Sequence, residues 1–162
     1  MAICLSDALV PPRFLDHNAL SGHIPSSLSF PQANTITLAN NALTGHVPWA
    51  SLLNSSSLDT IALSNNQLSG SLSHTLPSSL RRYVVHENTF GGGLPSFKQS
   101  PRLQILSVHR NSLVGSLELP SLQNWQAACV DISADKWQAQ FGEKNILGFE
   151  NSFPGGCAEV NP

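Results

Sequence analysis

The stretch LANNALTGHVP, residues 38–48, returns as LSNNQLSG at residues 63–70. Both times two adjacent asparagines sit between leucines, with a leucine and a glycine following. A helix interior gains nothing from Asn-Asn, because short amide side chains compete with the backbone for hydrogen bonds. Strand interiors are depleted in asparagine as well. The recurrence therefore implies a repeating unit that needs this side chain once per turn.

Working outward from Asn41, Ile36 and Leu38 precede it, and Leu43, Gly45 and Val47 follow. Asn66 has Ile61, Leu63, Leu68, Gly70 and Leu72 at the same offsets. Asn88 has Tyr83, Val85, Phe90, Gly92 and Leu94, and Asn111 has Leu106, Val108, Leu113, Gly115 and Leu117. Upstream, Asn18 carries Leu15, Leu20, Gly22 and Ile24, although Arg13 stands where an apolar residue is expected. Downstream, Asp135 takes the asparagine place among Val130, Ile132 and Trp137. These six positions are spaced by 22 to 25 residues.

Apolar residues two apart put their side chains on one face of a short strand. One unit cannot bury that face alone, but stacked units share a continuous core. An amide side chain both donates and accepts, so a column of asparagines can satisfy the backbone of adjacent coils. In each Asn-Asn pair the second residue is the ladder position, and Asn40 and Asn65 are expected to face solvent. The recurring glycines suggest a tight bend four residues later. Pro25, Pro48 and Pro95 then favour extended backbone. Ser73 and Glu118 replace that proline, so the far side of the coils is expected to vary.

With NALSGHIPSSL (18–28), NALTGHVP (41–48) and NTFGGGLPSF (88–97), the pattern resembles the plant-specific subclass of leucine-rich repeats and its Gly-x-Ile-Pro extension. The resemblance implies an α/β-type repeat fold. This is a right-handed solenoid with short parallel strands on a concave face and a mostly irregular or 3-10 convex side. It divides the chain into an incomplete N-terminal cap (1–9), a domain of about six repeats (10–137) and a C-terminal capping segment (138–162). Cys4 would be a remnant of the first cap. FENSFPGGC (149–157) loosely resembles the Asn-Gly-Cys cap of plant receptor ectodomains, which implies a Cys129–Cys157 disulfide. The alternative is that Cys129 is simply a small buried residue.

Composition narrows the function classes. The 162 residues are 41% hydrophobic and 11% charged, with a net charge of -2. Such a chain is neither disordered nor marked by the basic stripe of a nucleic-acid binder. It contains no run of 18 apolar residues and hence no membrane segment. The opening MAICLSDALVPPRF lacks the basic leader and long apolar core of a signal peptide. An uncapped solenoid exposes its core, which points to a fragment or to an end covered by a partner.

In such repeats, ligands meet the strand face opposite the core. Two residues before each ladder position that face reads Asp16, Ala39, Ser64, His86, His109 and Ser133. Four before, it reads Phe14, Thr37, Ala62, Val84, Ser107 and Asp131. Immediately before, it reads His17, Asn40, Asn65, Glu87, Arg110 and Ala134. The second and third coils are small and neutral. The candidate ligand-binding residues are therefore Val84, His86, Glu87, Ser107, His109 and Arg110. Glu87 is expected to pair with Arg110. The two histidines are expected to titrate near their ordinary pKa, and they lack the further ligands a tetrahedral metal site needs.

TFGGGLP (89–95) lacks the lysine and hydroxyl residue of a phosphate loop, and no motif gathers a nucleophile with a base. No catalytic residue, metal or cofactor is assigned. Asn54, in Asn-Ser-Ser, matches an N-glycosylation acceptor. The expected function is non-catalytic recognition of a protein, peptide or glycan by a receptor-like or secreted protein outside the cell. An inhibitor of an extracellular enzyme, similar to polygalacturonase inhibitors, is the alternative. Ice binding is a remote one, because Thr35, Thr37 and Thr60 do not continue as a column.

Overall fold

The computed structural model describes residues 13–115, 127–129 and 136–137. Within them the chain winds through two parallel sheets of six strands each. The first sheet stacks β1 (Arg13–Phe14), β3 (Thr35–Thr37), β5 (Thr60–Ala62), β7 (Arg82–Val84), β9 (Ile105–Ser107) and β11 (Ala127–Cys129) in that order. These strands are three residues or fewer and rich in β-branched side chains, which suit a pleated surface. Their registers align Ile36 with Ile61, Ile61 with Tyr83 and Tyr83 with Leu106. That inward column, with Leu38, Leu63, Val85 and Val108, is fully or almost fully buried. Together with Leu43, Leu68, Phe90 and Leu113 it forms one continuous core. Truncating any of its leucines to alanine costs about 2–5 kcal/mol.

The second sheet lies where a bend was expected. It consists of β2 (Ser21–His23), β4 (Ala42–His46), β6 (Gln67–Ser71), β8 (Thr89–Gly92), β10 (Ser112–Gly115) and β12 (Lys136–Trp137). The recurrent glycines sit inside these strands rather than at a turn, with φ of +86° at Gly22, +77° at Gly45, +84° at Gly70 and +76° at Gly92. Each such glycine takes the left-handed backbone and still has a partner in the neighbouring strand. An added Cβ at Gly45 would meet the ring of the exposed His23 in the coil before, which can swing aside, so positive φ is what the site demands.

Each coil closes through a second turn just before the next first-sheet strand, with bonds from Ala33 N to Phe30 O, Leu58 N to Ser55 O, Leu80 N to Pro77 O and Leu103 N to Ser100 O. In the second coil one helical turn, α1 (Trp49–Leu52), fills the far side. Trp49 lies 6.1 Å from Tyr83 and 6.0 Å from Phe90 of the fourth coil, centroid to centroid, and its Nε1 donates to Ser71 O of the third at 2.9 Å, so it braces both. Cys4, Cys157, Asp135 and both expected capping segments fall outside the described residues, as does the Cys129 side chain.

Candidate ligand-binding face

The ladder asparagines hold the first sheet in register. Asn66 accepts from Leu43 N at 3.0 Å and donates to the carbonyls of Leu38, Leu63 and Ser64 at 2.9–3.1 Å. Asn41 does the same between Leu20 N and the carbonyls of Leu15, Leu38 and Ala39. Asn88 joins Leu68 N to Leu63, Val85 and His86, and Asn111 joins Phe90 N to Val85, Val108 and His109. Asn18, in the first described coil, is exposed and donates to Asp16 O.

The residue before each ladder position has a reason of its own. His17, Asn40, Asn65, Glu87 and Arg110 all have φ between 52° and 55°. Asparagine tolerates this left-handed region better than other side chains. Asn40 and Asn65 are thus more than solvent-facing residues: Asn65 Nδ2 donates to Asn40 Oδ1 at 2.7 Å. In the fourth and fifth coils the same column holds Glu87 and Arg110, joined as a hydrogen-bonded ion pair.

Beside that pair the His86 and His109 rings stack, with centroids 4.5 Å apart and planes 10° from parallel. The Ser107 hydroxyl lies 2.9 Å from His86 Nδ1 and 3.2 Å from His109 Nδ1. With one proton on that hydroxyl, Ser107 can donate to only one of the two rings, which couples their tautomers. Desolvation, followed by the neighbouring His109, pushes the His86 pKa down from 6.5 to about 4. The expectation of an ordinary histidine titration does not hold there.

Val84 and Ser107 also need correction, because neither is exposed. β7 lies between β5 and β9, so Val84 is enclosed by Ala62 and Ser107 on either side. Ala39, Ala62, Ser64, Val84 and Ser107 form a closed floor, 1% exposed or less. His86 and His109 show only 9% and 7% of their surface, whereas the Arg110 side chain shows 65%. What this face exposes is the histidine ring edges, Glu87 and Arg110, with the Ser107 hydroxyl bonded to both rings.

On the other side of the coils an open groove of about 970 Å³ is lined by His46, Trp49, Asn54, Ser71, His74 and Pro77, among others. Asn54 is exposed there and donates to Ser29 Oγ at 2.6 Å. Among the described residues, no three His, Cys, Asp or Glu side chains come together as a metal-binding group. No helix among them is long and apolar enough to cross a membrane.

The stacked parallel-strand fold is shared with solved plant receptors. The chain is 28% identical to the plant peptide hormone receptor RGFR1 in complex with RGF2 (TM-score 0.65, covering 78% of this chain and 20% of that one). It is 25% identical to the leucine-rich repeat ectodomain of the Arabidopsis thaliana receptor kinase SOBIR1 (TM-score 0.63, 75% of this chain and 68% of that one).

The chain folds as a plant-type leucine-rich repeat solenoid.

The repeat chain is also 26% identical to the Arabidopsis receptor kinase HAESA ectodomain in complex with an IDA peptide hormone ligand (TM-score 0.62, 76% and 21% covered). Among curated sequences it is 30% identical over 104 residues to Receptor-like protein 39 of Arabidopsis thaliana. That match covers 60% of the repeat chain and only 12% of the relative's length. No family model matches the repeat chain.

Arg82 was missed by the sequence reading. It stands six residues before the ladder, in a column with Thr35, Thr60 and Ile105. Reading the alternation one step further back would have found it.

Proposed function

We propose that the chain is a non-catalytic recognition module of a receptor-like extracellular protein. It takes a protein or peptide ligand across the outer face of the first sheet at the fourth and fifth coils. The observation that carries this is the left-handed backbone at Glu87 and Arg110, φ 55° and 52°. For side chains other than glycine or asparagine this conformation costs about 1–2 kcal/mol per residue. An exposed ion pair returns about 0–1 kcal/mol. Strain not repaid in stability gathers where ligands are held. Arginine is also among the side chains that concentrate binding energy. The RGFR1 and HAESA structures are named as complexes with peptide ligands, which supports this recognition reading over the inhibitor one. In an extracellular protein Asn54 would carry an N-glycan on the opposite side, and a mass shift on glycosidase treatment tests that.

The test is a display library of 12-residue peptides selected against the chain. Exchanging both Glu87 and Arg110 for asparagine extends the Asn40–Asn65 column. The variant should gain about 1–2 kcal/mol in urea unfolding, yet bind the selected peptides at least tenfold more weakly. Peptides that bind the variant equally, and lose affinity only on changes beside Trp49, would place recognition on the far-side groove.

A further inference from the structure

We propose that the far-side groove is a second binding site, for a neutral oligosaccharide, with the Trp49 indole as the surface on which a sugar ring lies. The inference goes beyond the recognition reading, which concerns the outer face of the first sheet.

The groove lies where neighbouring coils fill the far side differently. The second coil places the helical turn α1 there, with Trp49 at its start. The third coil has Ser73 where the first, second and fourth carry Pro25, Pro48 and Pro95. It forms no helix at this point and meets the fourth through a bridge between Thr75 and Ser96. The groove of about 970 Å³ between them has the size of a small-ligand site.

Trp49 is held firmly. Its indole N–H is committed to Ser71 O at 2.9 Å, and its ring rests near those of Tyr83 and Phe90. What the half-buried indole offers the groove is therefore a fixed apolar surface rather than a donor.

The rest of the lining decides the ligand class. It contains no Asp, Glu, Lys or Arg, so neither an anion nor a cation meets an opposite charge there. The Ser73 and Ser79 hydroxyls donate to Thr75 O and Leu58 O. The side chains of Ser71, His74, Thr75, Ser78 and Gln99 are exposed and make no hydrogen bond among the described residues. A purely apolar ligand would cover these polar groups without replacing their water. A neutral sugar meets both demands. Its C–H face suits the indole, and its hydroxyls donate to and accept from hydroxyl, imidazole and amide groups.

The whole chain, free of N-glycan because Asn54 also lines the groove, is titrated with hexasaccharides of glucose, xylose, mannose and galactose. The galacturonate hexamer is the charged comparator, and the indole N–H signals are followed by NMR. At least one neutral hexasaccharide should bind at millimolar concentration, shift the Trp49 signal, and keep its affinity as salt rises. The galacturonate hexamer should bind it at least tenfold more weakly. Thr75→Arg, which sets a long side chain in the groove from an exposed position, should cost at least tenfold in affinity. Ser27→Arg, at an exposed position of the first coil outside the groove, should change it less than twofold. Absence of binding by all four neutral sugars, an unmoved Trp49 signal, tighter binding of the galacturonate hexamer, undiminished affinity in Thr75→Arg, or an equal loss in Ser27→Arg would each overturn the proposal. The two readings fail separately, because the library peptides report on Glu87 and Arg110 and the hexasaccharides on Trp49 and Thr75.

Discussion

Asn65 and Asn66 are neighbours in sequence with different physical duties. Asn66 ties one backbone N–H and three carbonyls together across two coils, and removing its amide leaves partly buried polar groups unpaired. Each such group costs about 1–3 kcal/mol. Asn65 holds a left-handed backbone and one exposed bond to Asn40. Asn66→Ala should therefore lower the unfolding free energy by about 2–4 kcal/mol, and Asn65→Ala by about 1 kcal/mol. Urea denaturation of the two variants checks this, and equal losses would refute the assigned register. The ladder role was legible because an inward amide recurs at a fixed offset. The left-handed role was not. Glu87 and Arg110 occupy that position without being asparagine, so no single residue type marks the column.

The second sheet and the histidine stack are set between coils rather than within a segment. Nothing in LTGHV alone favours a strand, and pairing becomes available only when the same segment of the next coil lies alongside. This is why a glycine read as a bend proved to sit inside β4. Gly45→Ala should destabilise the fold by about 1–2 kcal/mol through its positive φ, because the exposed His23 ring that the new methyl meets can swing aside. Adding His23→Ala should recover little of that loss. Gly91→Ala, whose new methyl meets nothing closer than 3.7 Å, should be neutral. Full rescue of Gly45→Ala by His23→Ala in thermal melts would show that backbone conformation is not limiting. The stack that joins coils four and five sets a pH dependence. Folding favours neutral His86, so its contribution is complete above the ordinary pKa of 6.5 and is lost as pH falls toward about 4. The unfolded chain takes up the proton first. The melting temperature should fall through that window, and His86→Gln should flatten the fall. Parallel profiles for the two proteins would mean that His86 is not the titrating group.

At the scale of the whole molecule the fold is a one-dimensional stack. The first-sheet core was readable because periods of 22 to 25 residues bring equivalent side chains to equivalent places. The enclosure of Val84 and Ser107 was not, because whether an outward side chain stays exposed depends on the strands packed on either side of it. Stability in such a stack is close to a sum over coils and their interfaces, so one whole period should be removable. Deleting residues 42–66 joins Asn41 to Gln67 and leaves the sequence NNQLSG intact across the junction. The ladder stays in phase, and the Glu87–Arg110 pair, the histidine stack and Arg82 keep their mutual geometry. The shortened chain should remain folded, with a lower melting temperature. It loses one coil of core and the Trp49 contacts with Tyr83 and Phe90. Deleting residues 42–58 instead puts the strands of later coils out of phase with those before them and should abolish cooperative unfolding. Circular dichroism melts of the two deletions decide the matter. If the in-phase deletion is as unstructured as the other, the coils are not interchangeable units, and stability depends on a bracing contact such as Trp49 rather than on the stack.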